Sequence, residues 1–384
     1  MKIPVLLACA LPNWIGTARL PSALARAQFA VTLLAPRDAL VTRSRFVDRQ
    51  VLLRDGWARW GWIEGLRAAI DAGGPRLVIP GDEIALHLLI ALVLRPPPQL
   101  AREECERLSS LVQESLGDPA HFVTSTDKVE LPAAAAAAGV PVPRYAQLAD
   151  PADARAFARA QGLPLVLKAP HGFSGDGVAI CRDADELAIA LTHWERLIAQ
   201  HPHLRGRPFV GQAFVDGPTL SRTSVAWHGE ELAGTTREKL VRHPAATGPA
   251  SVVRYLHDPT IARYSARLIE AFAITGFAGI EYIAGHDGEI LLLEINRRVT
   301  PGASGGAMVG IDLCEALHAA MTGAPSRVPR DLAPGDERIV ARFPQEWLRD
   351  PSSEWLRRYP VDAPWDEPDL MSAMLAMRGG DPRA

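Results

Sequence analysis

The segment 276–296, GFAGIEYIAGHDGEILLLEIN, constrains the fold more than any other part of this sequence. Two apolar runs flank Asp287-Gly288, and Asp-Gly is a strong signal for a two-residue β-hairpin turn. A hairpin with that turn places Glu281 directly opposite Glu294. The alternation of apolar side chains is consistent on both runs, which supports this register. The sequence therefore predicts a hairpin with two facing carboxylates.

Two facing carboxylates destabilise a sheet unless something compensates their repulsion. A Mg²⁺ ion compensates well, because it takes oxygen ligands and usually shares itself with substrate phosphates. Asn296 lies two residues beyond Glu294 on the same face, so Glu281, Glu294 and Asn296 are the candidate metal ligands. A solvated acidic edge, or one protonated carboxyl group, explains the pattern equally well at this point.

A glycine-rich stretch, HGFSGDG at 171–177, follows a predicted strand that ends in Lys168. Backbone amides in such a loop can close over phosphates, and a neighbouring lysine supplies positive charge. The P-loop pattern GxxxxGK[ST] is absent. An ordinary hairpin is the alternative for this stretch taken alone.

The N-terminal part alternates strands and helices. Residues 3–9 and 29–36 predict buried strands around a helix near 18–29, and 76–79 predicts another strand before a helix. This βαβ order indicates a parallel sheet. No GxGxxG follows the first strand, so the dinucleotide fingerprint is missing. We therefore predict a Rossmann-like domain without that function.

Helix signals continue along the chain. Thr126 or Asp127 is a candidate N-cap for a helix through the alanine tract, and Gly139 is expected to end that helix. Residues 184–200 and 259–275 predict two further helices.

The composition excludes some functions. A net charge of −3 over 384 residues gives no bulk attraction to nucleic acid or to anionic membranes. The four cysteines form no CxxC pair, which fits a reducing compartment, so we expect a cytoplasmic protein. The apolar start predicts a buried strand rather than a signal peptide. No apolar run reaches the length of about 18 residues typical of a transmembrane helix.

Taken in order from about residue 115 to residue 325, these motifs resemble the ATP-grasp superfamily. Within it they resemble the carboxylate–amine ligases, with a carbamoyl-phosphate-synthase-like ATP-grasp domain. The resemblance implies ATP and Mg²⁺ (or Mn²⁺) as cofactors, and Glu281, Glu294 and Asn296 as metal ligands. Arg298 completes the family's E-x-N-x-R pattern and is, with Lys168, the implied catalytic residue. The implied ATP-binding residues are Lys128, Lys168, Gly172, Ser174, Gly175, Gly177, Gln212, Val215 and Leu292.

The resemblance implies a mixed α/β and α+β fold, with a Rossmann-like N-terminal domain before a two-lobed ATP-grasp domain. We assign residues 1–115 to the Rossmann-like domain and 116–200 to the lid or small lobe. Residues 201–325 form the C-terminal lobe with the metal site. Residues 326–384 form an ordered appendage rich in aromatic residues and proline, because linkers are poor in tryptophan.

The implied reaction joins a carboxylate to an amine through an acyl phosphate and releases ADP and phosphate. Such chemistry needs positioning and charge stabilisation more than a strong base. The partners are then small-molecule carboxylate and amine substrates, without nucleic acid or membrane, and the apolar N-terminal helices would allow a homodimer. Two alternatives stay open: an ATP-binding regulatory or scaffold protein without turnover, and a dinucleotide-dependent oxidoreductase, which the missing glycine fingerprint disfavours.

Some positions depart from the pattern of many relatives. Arg297 stands where proline is common, and Thr219 where a glutamate often follows the hinge. On an extended strand Arg297 alternates away from Arg298, so we expect it at the surface. A basic stretch between the predicted strands and the next helix either reaches the phosphates or forms a solvated loop; it contains Lys239, Arg242 and His243.

Overall fold

The computed structural model describes residues 2–170, 177–201, 204–243 and 248–377. The chain divides into two compact units. The larger unit comprises Met1–Phe122, Ser221–Ile280 and Ile295–Ala384, and the smaller unit comprises Val123–Leu220 and Glu281–Glu294. The four domain segments drawn from the sequence stay predictions.

The larger unit begins with the predicted parallel sheet. Its strands are β1 (Ile3–Ala8), β2 (Phe29–Pro36), β3 (Arg49–Leu53) and β4 (Leu77–Pro80), in the order β3-β2-β1-β4. All three described pairings are parallel, which confirms the βαβ prediction. The helices of this part are α1 (Ile15–Ala18), α2 (Leu20–Arg26), α3 (Arg59–Gly73), α4 (Glu83–Leu94) and α5 (Arg102–Leu116).

The strand β1 shows how the sequence builds two layers. Val5 and Leu7 face a core that continues into the later strands of the same unit. Leu6 and Ala8 face the helices α3 to α5. Because side chains alternate along a strand, a continuous apolar run is buried on both faces.

The smaller unit contains an antiparallel sheet. Its strands are β5 (Tyr145–Leu148), β6 (Leu165–Lys168), β7 (Val178–Cys181) and β8 (Phe209–Ala213), in the order β5-β8-β6-β7. The helices are α6 (Leu131–Ala137), α7 (Pro151–Gln161) and α8 (Ala184–Gln200). One face of the sheet packs on α8, where Trp194 stacks on Phe209 with ring centroids 4.0 Å apart.

In the described part of the chain, a third sheet, of seven strands, has the order β13-β12-β9-β10-β11-β14-β15. These strands are β9 (Thr219–Trp227), β10 (Glu230–Arg242), β11 (Ala250–Leu256), β12 (Gly276–Ala284), β13 (Ile290–Asn296), β14 (Arg338–Arg342) and β15 (Val361–Asp362). The accompanying helices are α9 (Pro259–Ala271), α10 (Gly302–Gly305), α11 (Leu313–Thr322), α12 (Gln345–Arg349), α13 (Glu354–Arg358) and α14 (Pro368–Leu375). No helix of the described residues is long and apolar enough to cross a membrane.

The turn between β12 and β13 differs from the prediction. The Gly285 N–H donates to the Glu289 carbonyl at 2.8 Å, and the Gly288 N–H donates to the Gly285 carbonyl at 3.0 Å. Gly288 has a φ of +80°. This is a three-residue loop with a left-handed glycine, so the predicted two-residue turn is wrong. The direct opposition of Glu281 and Glu294 was derived from that turn and loses its basis.

The alanine tract forms α6 as predicted, but its N-cap was assigned wrongly. The helix begins after Glu130, which makes no side-chain cap. The Asp127 carboxylate instead accepts a hydrogen bond from the Val129 N–H at 2.8 Å. Gly139, with a φ of +73°, follows the end of the helix and confirms the predicted stop.

The C-terminal segment is part of the larger unit. Strand β15 pairs with β14, and Asp362 stands opposite Arg342. The Asp362 carboxylate accepts from Arg19 at 2.6 Å and forms an ion pair with Arg342 at 3.0 Å. Although burial alone would raise it, the two guanidinium charges hold the pKa of Asp362 below its usual value. The buried ion pairs therefore fasten β15 to the N-terminal helices.

Asp362→Asn should lower the free energy of unfolding by about 3–5 kcal/mol, because it leaves the buried Arg342 and the partly buried Arg19 without their shared carboxylate. Urea denaturation at pH 7 measures this loss. The lowered pKa means that the stabilisation is present above about pH 3.9 and is lost as the pH falls further.

The exposed pair Arg102–Glu106 provides the control for Asp362→Asn. Glu106→Gln should change the unfolding free energy by less than about 0.5 kcal/mol. Equal effects of the two substitutions would contradict the role assigned to Asp362.

Candidate functional site

The smaller unit contains a pocket of about 360 Å³, including its opening to solvent. Cross-strand pairs build its floor, because directly opposed residues share a face of the sheet. Tyr145 pairs with Gln212, and Lys168 pairs with Val210. The complete lining is Lys128, Leu131, Pro132, Val142, Pro143, Tyr145, Lys168, Val210, Gln212, Leu292 and Leu293.

Three predicted ATP-binding positions therefore lie in one pocket with Lys168. Lys128 and Lys168 supply positive charge, Gln212 belongs to the floor, and Leu292 lines the wall. The Leu292 N–H donates to the Pro141 carbonyl at 2.8 Å, which fixes β13 against the chain that leads into β5. An apolar slot with few polar groups and two ammonium groups suits a flat apolar base joined to an anion.

Strand periodicity explains why Lys168 points into this pocket. Leu165 and Leu167 pack into the core beneath α8, so the next residue projects from the opposite face. Burial is the main cause that lowers the pKa of Lys168 to about 8, and the charge of Lys128 acts in the same direction. Glu294 and Glu281 raise it in part. Both predicted metal-binding carboxylates therefore lie within electrostatic reach of the Lys168 ammonium.

These carboxylates fit a magnesium ion of the substrate-sharing kind. Among the described residues, no group of three or more His, Cys, Asp or Glu side chains forms a ready metal cage. Mg²⁺ is usually held by one or two carboxylates together with substrate phosphates. Glu281 and Glu294, within electrostatic reach of Lys168, provide that type of donor set.

The other predicted ATP-binding residues are placed as follows. Gly177 ends the glycine-rich stretch with a φ of +72° and precedes β7. Val215 lies between β8 and β9, outside the pocket lining, with its side chain close to Gly285. The predicted loop residues Gly172, Ser174 and Gly175 lie outside the described residues.

In the larger unit, the guanidinium group of Arg298 is hydrogen-bonded to residues of the same unit. Its Nε donates to Glu83 at 2.7 Å, its Nη2 to Asn296 Oδ1 at 2.9 Å, and its Nη1 to the Val299 carbonyl at 3.3 Å. Its guanidinium carbon lies 4.6 Å from the centre of the Trp14 ring. The arginine therefore orients the predicted metal ligand Asn296, because a guanidinium can only donate and so faces the amide oxygen.

The position and charge of Glu83 allow it to bind Arg298. It begins α4, directly after the end of β4, and its other oxygen lies 3.3 Å from His87. Burial would raise its pKa, but hydrogen bonds and charge from His87 and Arg298 bring the pKa down to about 2. Glu83 therefore stays ionised. No sequence motif marked it, because its partner lies 215 positions away.

The prediction that Arg297 lies at the surface is wrong. Its side chain is buried, it donates to the Leu116 carbonyl, and it lies over the Phe122 ring. Burial lowers the pKa of Arg297 to about 10. Alternation does place it away from Arg298, but the side it faces is covered by the end of α5.

The basic stretch is not a solvated loop throughout. Lys239 and Arg242 belong to β10, which pairs with β11 in an antiparallel ladder. The His243 N–H donates to the Pro249 carbonyl at 3.1 Å, just beyond the strand.

Glu294→Gln should lower the pKa of Lys168 below its value of about 8, because the substitution removes a charge that raises it. The measurement is an NMR titration of ¹³C-dimethylated lysines, with the Lys168 signal assigned from Lys168→Arg. Glu195→Gln, an exposed position on α8, is the control and should leave the midpoint unchanged. A Lys168 midpoint near 10.5 in the unsubstituted chain would contradict the assigned environment.

Comparisons with known proteins show one matching domain family and several solved structures of similar fold. The ATP-grasp domain family matches residues 125–302. The fold is similar to biotin carboxylase of Campylobacter jejuni, in a β-γ-ATP complex, with a TM-score of 0.66 and 16% identity over 88% of this chain and 75% of that one. It is also similar to carboxyaminoimidazole ribonucleotide synthase of Aspergillus clavatus, complexed with ATP, with a TM-score of 0.61 and 17% identity over 88% and 81%.

A curated relative is the uncharacterized protein y4rH of Sinorhizobium fredii, which is 39% identical over 102 residues. The matched part is 26% of this chain and spans about one fifth (21%) of that relative. The structural matches show a multidomain fold like that of these two enzymes. The match to the ATP-grasp domain family, over residues 125–302, covers both lysines, both carboxylates and the E-x-N-x-R segment.

Proposed function

We propose that the protein is an ATP-dependent carboxylate–amine ligase that forms an amide or peptide bond. The observation that carries this proposal is the grouping of Lys128 and Lys168 in one pocket, with Glu281 and Glu294 within electrostatic reach of Lys168. Two cations and two carboxylates beside an apolar slot match a nucleotide whose phosphates arrive with a metal ion. Two proteins of similar fold bind ATP or a β-γ-ATP ligand, which supports the same use here.

In the proposed reaction, an oxygen of the substrate carboxylate attacks the γ-phosphorus of ATP. The bond to the β-phosphate oxygen breaks, so an acyl phosphate and ADP form. An amine then attacks the acyl carbon, loses a proton, and displaces inorganic phosphate. The site supplies positioning and positive charge, which is what phosphoryl transfer needs most.

Each residue has a proposed part in this reaction. The apolar wall around Leu292 takes the base, and Gln212 lies beside it on the pocket floor. The two lysines bind and orient the phosphates, with Lys168 also facing the reacting group. A bound Mg²⁺ or Mn²⁺, held by Glu281 and Glu294, would neutralise phosphate charge.

Arg298 has a different proposed part from the one implied by the sequence pattern. Its donors are engaged with Glu83, Asn296 and the Val299 carbonyl. Contact with a transferred phosphoryl group would require exchange of at least one of these bonds. We therefore propose that Arg298 orients Asn296.

Glu294→Ala should reduce ADP formation by about 100-fold or more and leave the fold intact, because it removes a proposed metal ligand. The assay measures ADP release from Mg-ATP with a panel of carboxylic and amino acids, with hydroxylamine as a general acceptor. A signal with one acid identifies the activated substrate.

Glu289→Ala is the matched control, since Glu289 is exposed in the turn of the same hairpin. It should leave ADP formation unchanged. Undiminished turnover in folded Glu294→Ala would exclude the metal assignment. Binding of Mg-ATP without substrate-dependent ADP release across the panel would favour an ATP-binding regulatory protein instead.

A further inference from the structure

A buried carboxylate stands directly before the first predicted ATP lysine. Asp127 is 2% exposed, and its Oδ1 accepts from the Val129 N–H at 2.8 Å. Its Oδ2 forms an ion pair with Arg207. Its backbone carbonyl accepts from the Leu131 N–H at 3.0 Å, at the start of α6. Asp127 therefore fixes the residues on both sides of Lys128.

Arg207, the ion-pair partner of Asp127, precedes the strand that forms the pocket floor. It lies in the short segment between α8 and β8, and its N–H donates to the Leu204 carbonyl at 3.1 Å. Strand β8 begins at Phe209, and its residues Val210 and Gln212 form the pocket floor. The Asp127–Arg207 pair thus connects the loop that carries one lysine to the strand that forms the floor.

A third connection reaches the second lysine. The Lys128 N–H donates to the Pro170 carbonyl at 3.4 Å, two residues after Lys168 ends β6. The backbone segments that carry the two lysines are therefore joined directly. All these contacts lie within the smaller unit.

The energetics favour a positioning role over a purely stabilising one. Burying an ion pair costs desolvation that its attraction repays only when the geometry is good. A lysine side chain loses much rotamer freedom on binding, so a fixed backbone is needed to present the ammonium to a phosphate. The pair lies 80 positions apart in sequence, where it joins two walls of one pocket.

We propose that Asp127 and Arg207 are positioning residues that hold Lys128 at a fixed distance from the pocket floor for nucleotide binding. This inference rests on the proposed function, because it assigns Lys128 to the nucleotide phosphates. Neither residue lines the pocket, and neither has to touch the nucleotide.

Asp127→Ala and Arg207→Ala should each weaken ATP binding by about tenfold, which corresponds to about 1.4 kcal/mol. Lys128→Ala should weaken it at least as much. The measurement is the dissociation constant of ATP for the full chain by isothermal titration calorimetry with Mg²⁺ present, together with the midpoint of urea unfolding.

Asp150→Ala is the matched control. Asp150 lies in the same unit, accepts from the N–H groups of Ala152 at 2.7 Å and Asp153 at 3.0 Å, and caps α7 outside the pocket lining. It should lower stability as Asp127→Ala does but leave the ATP dissociation constant within about twofold. A merely structural role for Asp127 would give the same result for both variants.

The outcomes separate the two proposals. Folded Asp127→Ala and Arg207→Ala variants that bind ATP like the unsubstituted chain would overturn the positioning role, while a loss in Lys128→Ala would keep the proposed function. If Asp127→Ala fails to fold, Arg207→Ala decides, because Arg207 is partly exposed and its removal leaves the Val129 hydrogen bond in place. Unchanged ATP binding in Lys128→Ala would overturn the nucleotide assignment and this inference with it.

Discussion

The partly buried side chain of Lys168 is the constraint on which the chemistry proposed for the smaller unit depends. Burial disfavours its charge, Lys128 adds repulsion, and Glu281 and Glu294 offset part of both effects. Strand β6 cannot rotate to move Lys168 into solvent, because its neighbour Leu167 packs into the core beneath α8. A polyanion that arrives with a divalent cation would neutralise the lysines and the carboxylates together, which is consistent with the nucleotide and metal proposed for this pocket.

The larger unit uses its parallel sheet in a different way from a dinucleotide-binding domain. In such sheets the ligand crevice lies at the carboxyl ends of the strands where the order reverses, here between β1 and β4. At the end of β4, the position of a ligand is taken by residues of the same chain. Glu83 accepts a hydrogen bond from Arg298, and the Val299 N–H donates to the Pro80 carbonyl at 3.0 Å. The absence of GxGxxG is consistent with this use, since no pyrophosphate has to approach the backbone there.

The sequence predicted what depends on local pattern and motif order. The βαβ order of strands and helices predicted the parallel N-terminal sheet, and the order of the lysine, glycine-rich and carboxylate motifs gave the resemblance to the ATP-grasp superfamily. The sequence-based predictions were wrong where one sequence pattern is compatible with two structures, or where a contact comes from a distant part of the chain. Asp-Gly also fits a three-residue loop, because Gly288 is left-handed in either turn. Alternation separated Arg297 from Arg298 but could not reveal that helix α5 covers the other side. Asp127 has the residue type of a helix cap, and its ion-pair partner lies too far along the chain to be recognised.

Two of the missed contacts, Asp127–Arg207 and Glu83–Arg298, share one form, an acidic residue and an arginine joined from distant parts of the same unit. Such pairs are weak sources of stability, because well-packed apolar residues of similar volume often stabilise a core more. Such pairs fix the orientation of their side chains, since a guanidinium group binds a carboxylate in only a few geometries. Asp127 with Arg207 fixes the loop of Lys128, and Glu83 with Arg298 fixes the amide of Asn296. The residues predicted from motifs are therefore the proposed contacts of the nucleotide and metal, and the proposed role of the pairs that only the structure reveals is to fix where those residues point.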